Sequence, residues 1–292
     1  MAKTKPDKSS WFYLPAELRN LILETLLQSG NRVTGLAAVS PEWQAMIEPC
    51  NFARIKLTAP RLAQFDSMTR RNWALVRYIW LCLELREYDC TQCEPHQVNV
   101  IELTSPDNVM LITAFQSLFT TLSTWEPNGS LLLDISVHSP SDAKHWFKYL
   151  TFRSDIPSPS DKHDLGLHFK QQQQQLDKPA IFDDPQHGWI GGRPDSTPST
   201  PAILHIFGTL MGPDAFHNGE QQNEWWDQLP LAPAGTGVLI RQQTRRRWKP
   251  TALTRIFARI PNLQEIHYEP WRHWYGVEQD YMDSCEWSYI PR

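Results

Sequence analysis

Cys90-x-x-Cys93-x-x-His96 is the stretch whose residue types come nearest to a metal ligand set. Zinc takes four thiolate or imidazole donors in tetrahedral geometry. The stretch supplies three. Cys82 is the only other close candidate, and it falls inside an apolar run that reads as a strand. No second C-x-x-C and no H-x-x-x-H pair occurs in the sequence. Two incidental thiols are therefore the favoured reading, and no metal is expected. As a redox pair the motif is poorer still, because it opens no helix after a strand in a thioredoxin-like unit.

Arg241, Arg245-Arg246-Arg247 and Lys249 form a basic cluster interrupted by Trp248. Such a run can be a nuclear import signal or a patch for an acidic substrate. A solvated loop between a strand and a helix is the favoured reading. Asn128-Gly129-Ser130 fits a glycosylation sequon but reads as a tight turn. The sequence holds no G-x-S-x-G, P-loop, G-x-G-x-x-G or H-E-x-x-H motif. None of its ten histidines stands in a local nucleophile–base arrangement. No catalytic residue is assigned and no cofactor is expected.

The elements around these residues belong to an ordinary globular composition. In 292 residues, 41% are hydrophobic and 21% charged, enough for a sizeable core and one or two domains. A net charge of −4 and a pI near 6.2 argue against a nucleic-acid partner. The longest apolar block of note, Ile79 to Leu83, is far short of a membrane span. The polar N-terminus MAKTKPDKSS lacks the apolar core of a secretory signal, and five cysteines are an odd count. Reduced thiols and an intracellular protein, in cytoplasm or nucleus, are the expectation.

The chain is organised around Trp11 to Cys50. Pro15 suits a first helical position, and Leu18, Leu21, Ile22, Thr25 and Leu26 recur at helical spacing. A second short helix fits Thr34 to Val39. Ser40-Pro41 starts a third, with Ser40 as N-cap. Three helices in about forty residues bury little core alone, and the first is apolar beyond a narrow stripe. From periodicity alone, an N-terminal subdomain packed on its own chain and an exposed docking module stand equal.

The order Leu14-Pro15-x-Glu17-Leu18, Ile22-Leu23, Leu26-Leu27, then Leu36-Ala37-Ala38-Val39-Ser40-x-x-Trp43 resembles an F-box. The likeness runs from Trp11 to about Ile47, under a fifth of the chain. The Gly- and Asn-containing stretch Gln28 to Thr34, and Ala38, depart from the family pattern. F-box proteins are the substrate receptors of Skp–cullin–F-box ubiquitin ligases. The resemblance implies a Skp-type adaptor, and through it a cullin, as partners. It places Leu14, Pro15, Leu18, Ile22, Val39 and Trp43 at the adaptor face.

Behind this module the periodicity alternates. Leu75 to Leu85 predicts a strand, Ser105-Pro106 starts a long helix through Trp125, and Leu131 to Val137 predicts a strand. Ala202 to Met211 reads as a helix, Val238 to Gln242 as a strand, and Pro250 starts a helix ended by Pro261. Asn262 to Tyr268 has L-x-x-L-x-L spacing. This resembles degenerate leucine-rich repeats, an arrangement found behind F-boxes in fungal proteins. The expected fold class is α/β: a three-helix F-box, then an irregular leucine-rich-repeat-like β/α solenoid, capped by its own tail or cut short of a longer array. An unrelated α/β domain gives the same alternation. The expected divisions are a disordered tail at 1–10, the F-box at 11–57, first repeats at 58–151, a Pro/Ser/Gln-rich insertion at 152–199 unable to order itself beyond local docking of Trp189 and Ile190, and further repeats with an aromatic tail at 200–292. The last of these include a weak loop from Gly212 to Gly237, partly ordered by Trp225 and Trp226.

Strand alternation puts Trp80, Cys82 and Glu84, then Asp134, Ser136 and His138, then Arg241 and Gln243, then Glu265, His267 and Glu269 on one face. Concave strand faces bind the ligands of repeat proteins, so these are the candidate client contacts. The client itself is not encoded in the pattern. The expected function is a ligase substrate receptor, non-catalytic itself, without nucleic-acid or membrane partners. A non-ligase F-box scaffold and an α/β enzyme of unrecognised class are the alternatives.

Overall fold

The computed structural model describes residues 11–28, 34–94, 105–148, 183–211, 216, 218–241 and 244–270. A short 3-10 helix at Trp11–Tyr13 leads into helix α1, Ala16–Gln28. A 3-10 turn at Thr34–Ala38 precedes α2, Pro41–Ala53. Ser40 caps α2 as its spacing predicts: its Oγ accepts from Trp43 N at 3.3 Å, and Pro41 stands where no N–H is needed.

Helix α2 runs straight into strand β1, Arg54–Leu57, with Arg54 as its C-terminal cap. Then come α3 (Ala59–Thr69), β2 (Tyr78–Glu84), α4 (Ser105–Leu122) and β3 (Leu132–His138). The next elements are short: β4 (Trp189–Ile190), β5 (Arg193–Pro194), α5 (Thr200–Phe207) and β6 (Thr209–Leu210). The chain closes with α6 (Gly219–Gln228), β7 (Gly237–Ile240), β8 (Arg247–Trp248), α7 (Pro250–Ala258) and β9 (Glu265–Tyr268).

The main sheet has the order β1-β2-β3-β7-β9, every neighbouring pair parallel. Strands are laid down in chain order, so the sheet has no point where the winding reverses. Ile55, Leu57, Ile79, Leu81, Leu83, Leu133, Ile135, Val137, Val238 and Ile240 point to one side. There they join Leu62 and Phe65 of α3, Phe115 and Phe119 of α4, Trp226 of α6 and Ile256 of α7 in a single core. The residues between them in each strand stay outside that cluster. Helices thus cover one face of the sheet, and the polar, even-numbered side chains of β2 and β3 line the other.

Several sequence expectations shift. The division expected at 57/58 falls behind β1, which pairs with β2 through Ile55↔Ile79 and Leu57↔Leu81; the sheet begins at Arg54. The weak loop expected from Gly212 to Gly237, with Trp225 and Trp226 as its anchors, contains a helix, α6, capped by Asn218 Oδ1 on Gln221 N at 2.7 Å and held by buried Trp226. The insertion, expected to order only where Trp189 and Ile190 dock back, forms, from residue 183, a turn and the β4–β5 hairpin. Buried Trp189 ties it down, its Nε1 donating to Trp146 O at 3.0 Å. The tail at 1–10, the rest of the insertion and the aromatic tail from 271 lie outside the described residues.

Candidate functional site

Two surfaces carry the sequence-predicted residues. The first is the N-terminal helical module. Leu23 of α1 and Ile47 of α2 fill its interior. Around them Leu14, Leu18, Leu21, Ile22 and Val39 are exposed, Leu21 by 57% and Val39 by 60%. Pro15 is exposed beside them. Trp43 instead is half-buried, its ring 5.1 Å from that of Trp11, so part of its surface packs within the module. Glu42 braces that packing: it accepts from Arg19 Nε and from Trp11 Nε1, both at 2.8 Å. The Arg19 bond first, then the Trp11 bond, hold its carboxyl below the usual range. Sequence spacing found the apolar positions. It missed this polar brace, whose partners come from three elements.

The second surface is the sheet face opposite the helical core. The register sets Trp80 beside Asp134, Cys82 beside Ser136 and Glu84 beside His138, and Leu239 between Asp134 and His267. Most of the candidate client contacts are thus brought together on one face. Gln243 lies outside the described residues. Burial divides the set. Glu84, Glu265, His267 and Glu269 are exposed, while Trp80, His138 and Arg241 are half-buried. Cys82, Asp134 and Ser136 are buried.

Asp134 is the hub. Its Oδ2 accepts from Tyr78 OH and from Arg241 Nε, and Arg241 Nη2 reaches Tyr78 OH at 2.9 Å. Its Oδ1 has no hydrogen-bond partner among the described residues. Burial pushes the Asp134 carboxyl up and outweighs the opposing bonds to Tyr78 and Arg241. Burial works against the Arg241 charge too, yet its bond to Asp134 carries its pKa upward. Alongside, Trp80 Nε1 donates to Ser136 Oγ at 2.7 Å, and Lys56 Nζ lies 4.2 Å above the Trp80 ring. Tyr78 and Lys56 were missed in sequence. Tyr78 opens the strand, and Lys56 sits on a strand too short to read from alternation.

This network holds no nucleophile paired with a base. A compensated buried pair of this kind stiffens a surface and fixes its side chains. What it presents outward is a mixed rim of Lys56, Glu84, Glu265, His267 and Glu269, suited to holding a polar partner.

The basic run falls elsewhere, and it is not a solvated loop. Arg245 and Arg246 are buried against Asp142. Arg246 grips both carboxylate oxygens, at 2.8 and 3.1 Å, and Arg245 Nη1 lies 3.3 Å from Oδ2. Burial opposes the Asp142 charge, but Arg246 and then its hydrogen bonds hold the carboxyl below the usual range. An import signal must be exposed to be read, so these two arginines cannot serve as one. Cys90 and Cys93 do meet imidazoles. They belong to His145 and His187, while His96 lies outside the described residues.

No helix among the described residues is long and apolar enough to cross a membrane. Comparison of the chain with family models, with curated proteins and with solved structures found no match.

Proposed function

We propose that this chain is the substrate-receptor subunit of a Skp–cullin–F-box ubiquitin ligase. Its N-terminal module docks on the Skp-type adaptor and through it on the cullin. The sheet, read as an irregular leucine-rich-repeat-like solenoid, holds a client protein against the face opposite its helices. The ubiquitin-transfer chemistry belongs to other subunits, and the complex works inside the cell, in cytoplasm or nucleus.

The observation that carries this reading is the exposure of Leu14, Leu18, Leu21, Ile22 and Val39 on a module whose inward positions are already filled. Apolar side chains gathered at that density on a surface mark an interaction site. Parallel strands in chain order, with helices on one face, support the repeat reading of the rest.

Pulldown with purified adaptor tests the proposal. Folded full-length chain should capture the adaptor, and Leu14→Ala combined with Pro15→Ala should weaken capture about tenfold or more. Folded chain that captures no adaptor sinks the F-box reading. Equal capture by the double variant moves the contact off this face. Recruitment of the cullin and ubiquitination of a co-purifying client then separate a ligase receptor from an adaptor-bound scaffold.

A further inference from the structure

The turn after β2, the 3-10 helix His145–Phe147 after β3 and the turn Pro185–His187 converge at the C-terminal end of the sheet. Two thiols and two imidazoles gather there as two sulfur–nitrogen pairs. Cys90 Sγ is 3.3 Å from His145 Nδ1, and Cys93 Sγ is 3.4 Å from His187 Nε2. One ligand atom from each of Cys90, His145 and His187 lies within 4.8 Å of the other two, and Cys93 stands outside that triad, joined to it through His187. A tetrahedral zinc ion with bonds of about 2.3 Å to sulfur and about 2.0 Å to nitrogen separates its sulfur and nitrogen ligands by about 3.5 Å. Both sulfur–nitrogen pairs already stand near that edge length.

We propose that Cys90, Cys93, His145 and His187 bind one zinc ion. Two thiolates and two imidazoles are a donor set that selects zinc over magnesium or calcium. With all four positions filled by protein the site is structural, leaving no coordination position for a substrate.

The surroundings fit that role. Asp184 Oδ2 lies 2.8 Å from His187 Nδ1 and the same oxygen is held by Lys148. A carboxylate on Nδ1 fixes that nitrogen as the donor and turns the Nε2 lone pair toward Cys93. Such a partner behind the ring is what a metal-bound histidine needs to hold its orientation. His145 keeps a left-handed backbone (φ 52°) although it is not glycine. Gly188, just after His187, has φ 67°, and a Cβ there would lie 2.8 Å from the Trp146 ring. Both turns adopt backbone that ordinary residues avoid, and both do so beside a ligand. The imidazoles of His145 and His187 are 5.0 Å apart, packed between Tyr88 and Trp146. The ion would tie three loops together, next to the small apolar cluster of Phe147, Ile203, Ile206 and Phe207.

The test uses reduced full-length chain. Elemental analysis should find one equivalent of zinc. Chain stripped of metal and titrated with cobalt should show the intense visible bands of a tetrahedral ion, with thiolate charge-transfer absorption. Cys90→Ser and Cys93→Ser should each remove about half of that absorption, and their combination should abolish uptake. His145→Ala or His187→Ala should also lower zinc affinity, whereas Cys50→Ser and His96→Ala should leave it unchanged. A stripped wild-type chain that takes up no zinc, or gives only weak octahedral cobalt bands, overturns the proposal without relying on any variant. So does full uptake by the Cys90→Ser/Cys93→Ser chain, or loss of metal in His96→Ala alone.

Discussion

His205 has both ring nitrogens buried and without a hydrogen-bond partner among the described residues, while its ring meets Tyr88 edge-on at 4.5 Å. Burial first, then the Arg246 charge, bring its pKa from 6.5 down to about 4. The folded chain therefore keeps His205 neutral where the unfolded chain binds a proton. The unfolded state holds more protons between these two values, so stability rises with pH across that window. This contribution is complete above 6.5 and is lost as the pH falls toward 4. Urea midpoints at about pH 5 and about pH 7.5 should show the slope, and His205→Phe, which keeps an aromatic edge without a titrating group, should flatten it. An unchanged slope in the variant assigns the effect to other groups, such as His138, which burial also pushes down. The residue scale was the hardest to read in sequence. Arg245 and Arg246 look like a solvated basic run because nothing nearby in the chain neutralises them. Asp142, which does, arrives from the end of another strand.

At the scale of elements, helix α1 separates what periodicity can and cannot decide. Its apolar positions recur at helical spacing, and the helix forms. The same spacing does not say which of two apolar flanks faces inward. Leu23 turned out to be the buried one, fully covered, while Leu21 stands exposed two residues away. Leu23→Ala should therefore cost about 2–5 kcal/mol. Leu21→Ala should stay within about 0.5 kcal/mol while weakening adaptor capture. Denaturant midpoints of the two variants decide it; equal losses would mean that α1 is clasped on both sides. Long, strongly patterned elements were legible throughout: β2, β3, α4 and α7 stand near the places their spacing predicts. The misses share a cause. Strand β1 alternates over only four residues, and β6 and β8 pair over two, lengths at which alternation is indistinguishable from chance. Helix α6 is polar apart from its tryptophans, so composition hid it. The zinc-like cluster draws its histidines from distant turns, beyond the reach of any local motif.

For the whole molecule, the question is where the N-terminal module ends and the sheet begins. The chain passes from one to the other without a break. Helix α2 passes into β1 with no linker, Phe52 of α2 packs against the main core, and Glu48 of α2 is paired with Arg71 ahead of β2. On the proposed function, an adaptor held by the module would then be held at a set angle to the sheet, as presenting a client requires. A chain beginning at residue 60 tests the same continuity. It lacks β1, and with it the buried side chains of Ile55 and Leu57. Two such side chains together contribute about 3–6 kcal/mol, a large part of the 5–15 kcal/mol by which domains are usually stable. The loss also bares the backbone of β2 as a new edge, a template for aggregation. A chain beginning at residue 54 keeps the strand. The longer fragment should be soluble and unfold cooperatively, while the shorter should aggregate or unfold at a clearly lower urea concentration. Equal midpoints would make β1 a dispensable edge. A lower midpoint for the shorter fragment sets the working boundary of the sheet at Arg54, because the two fragments differ by little besides β1.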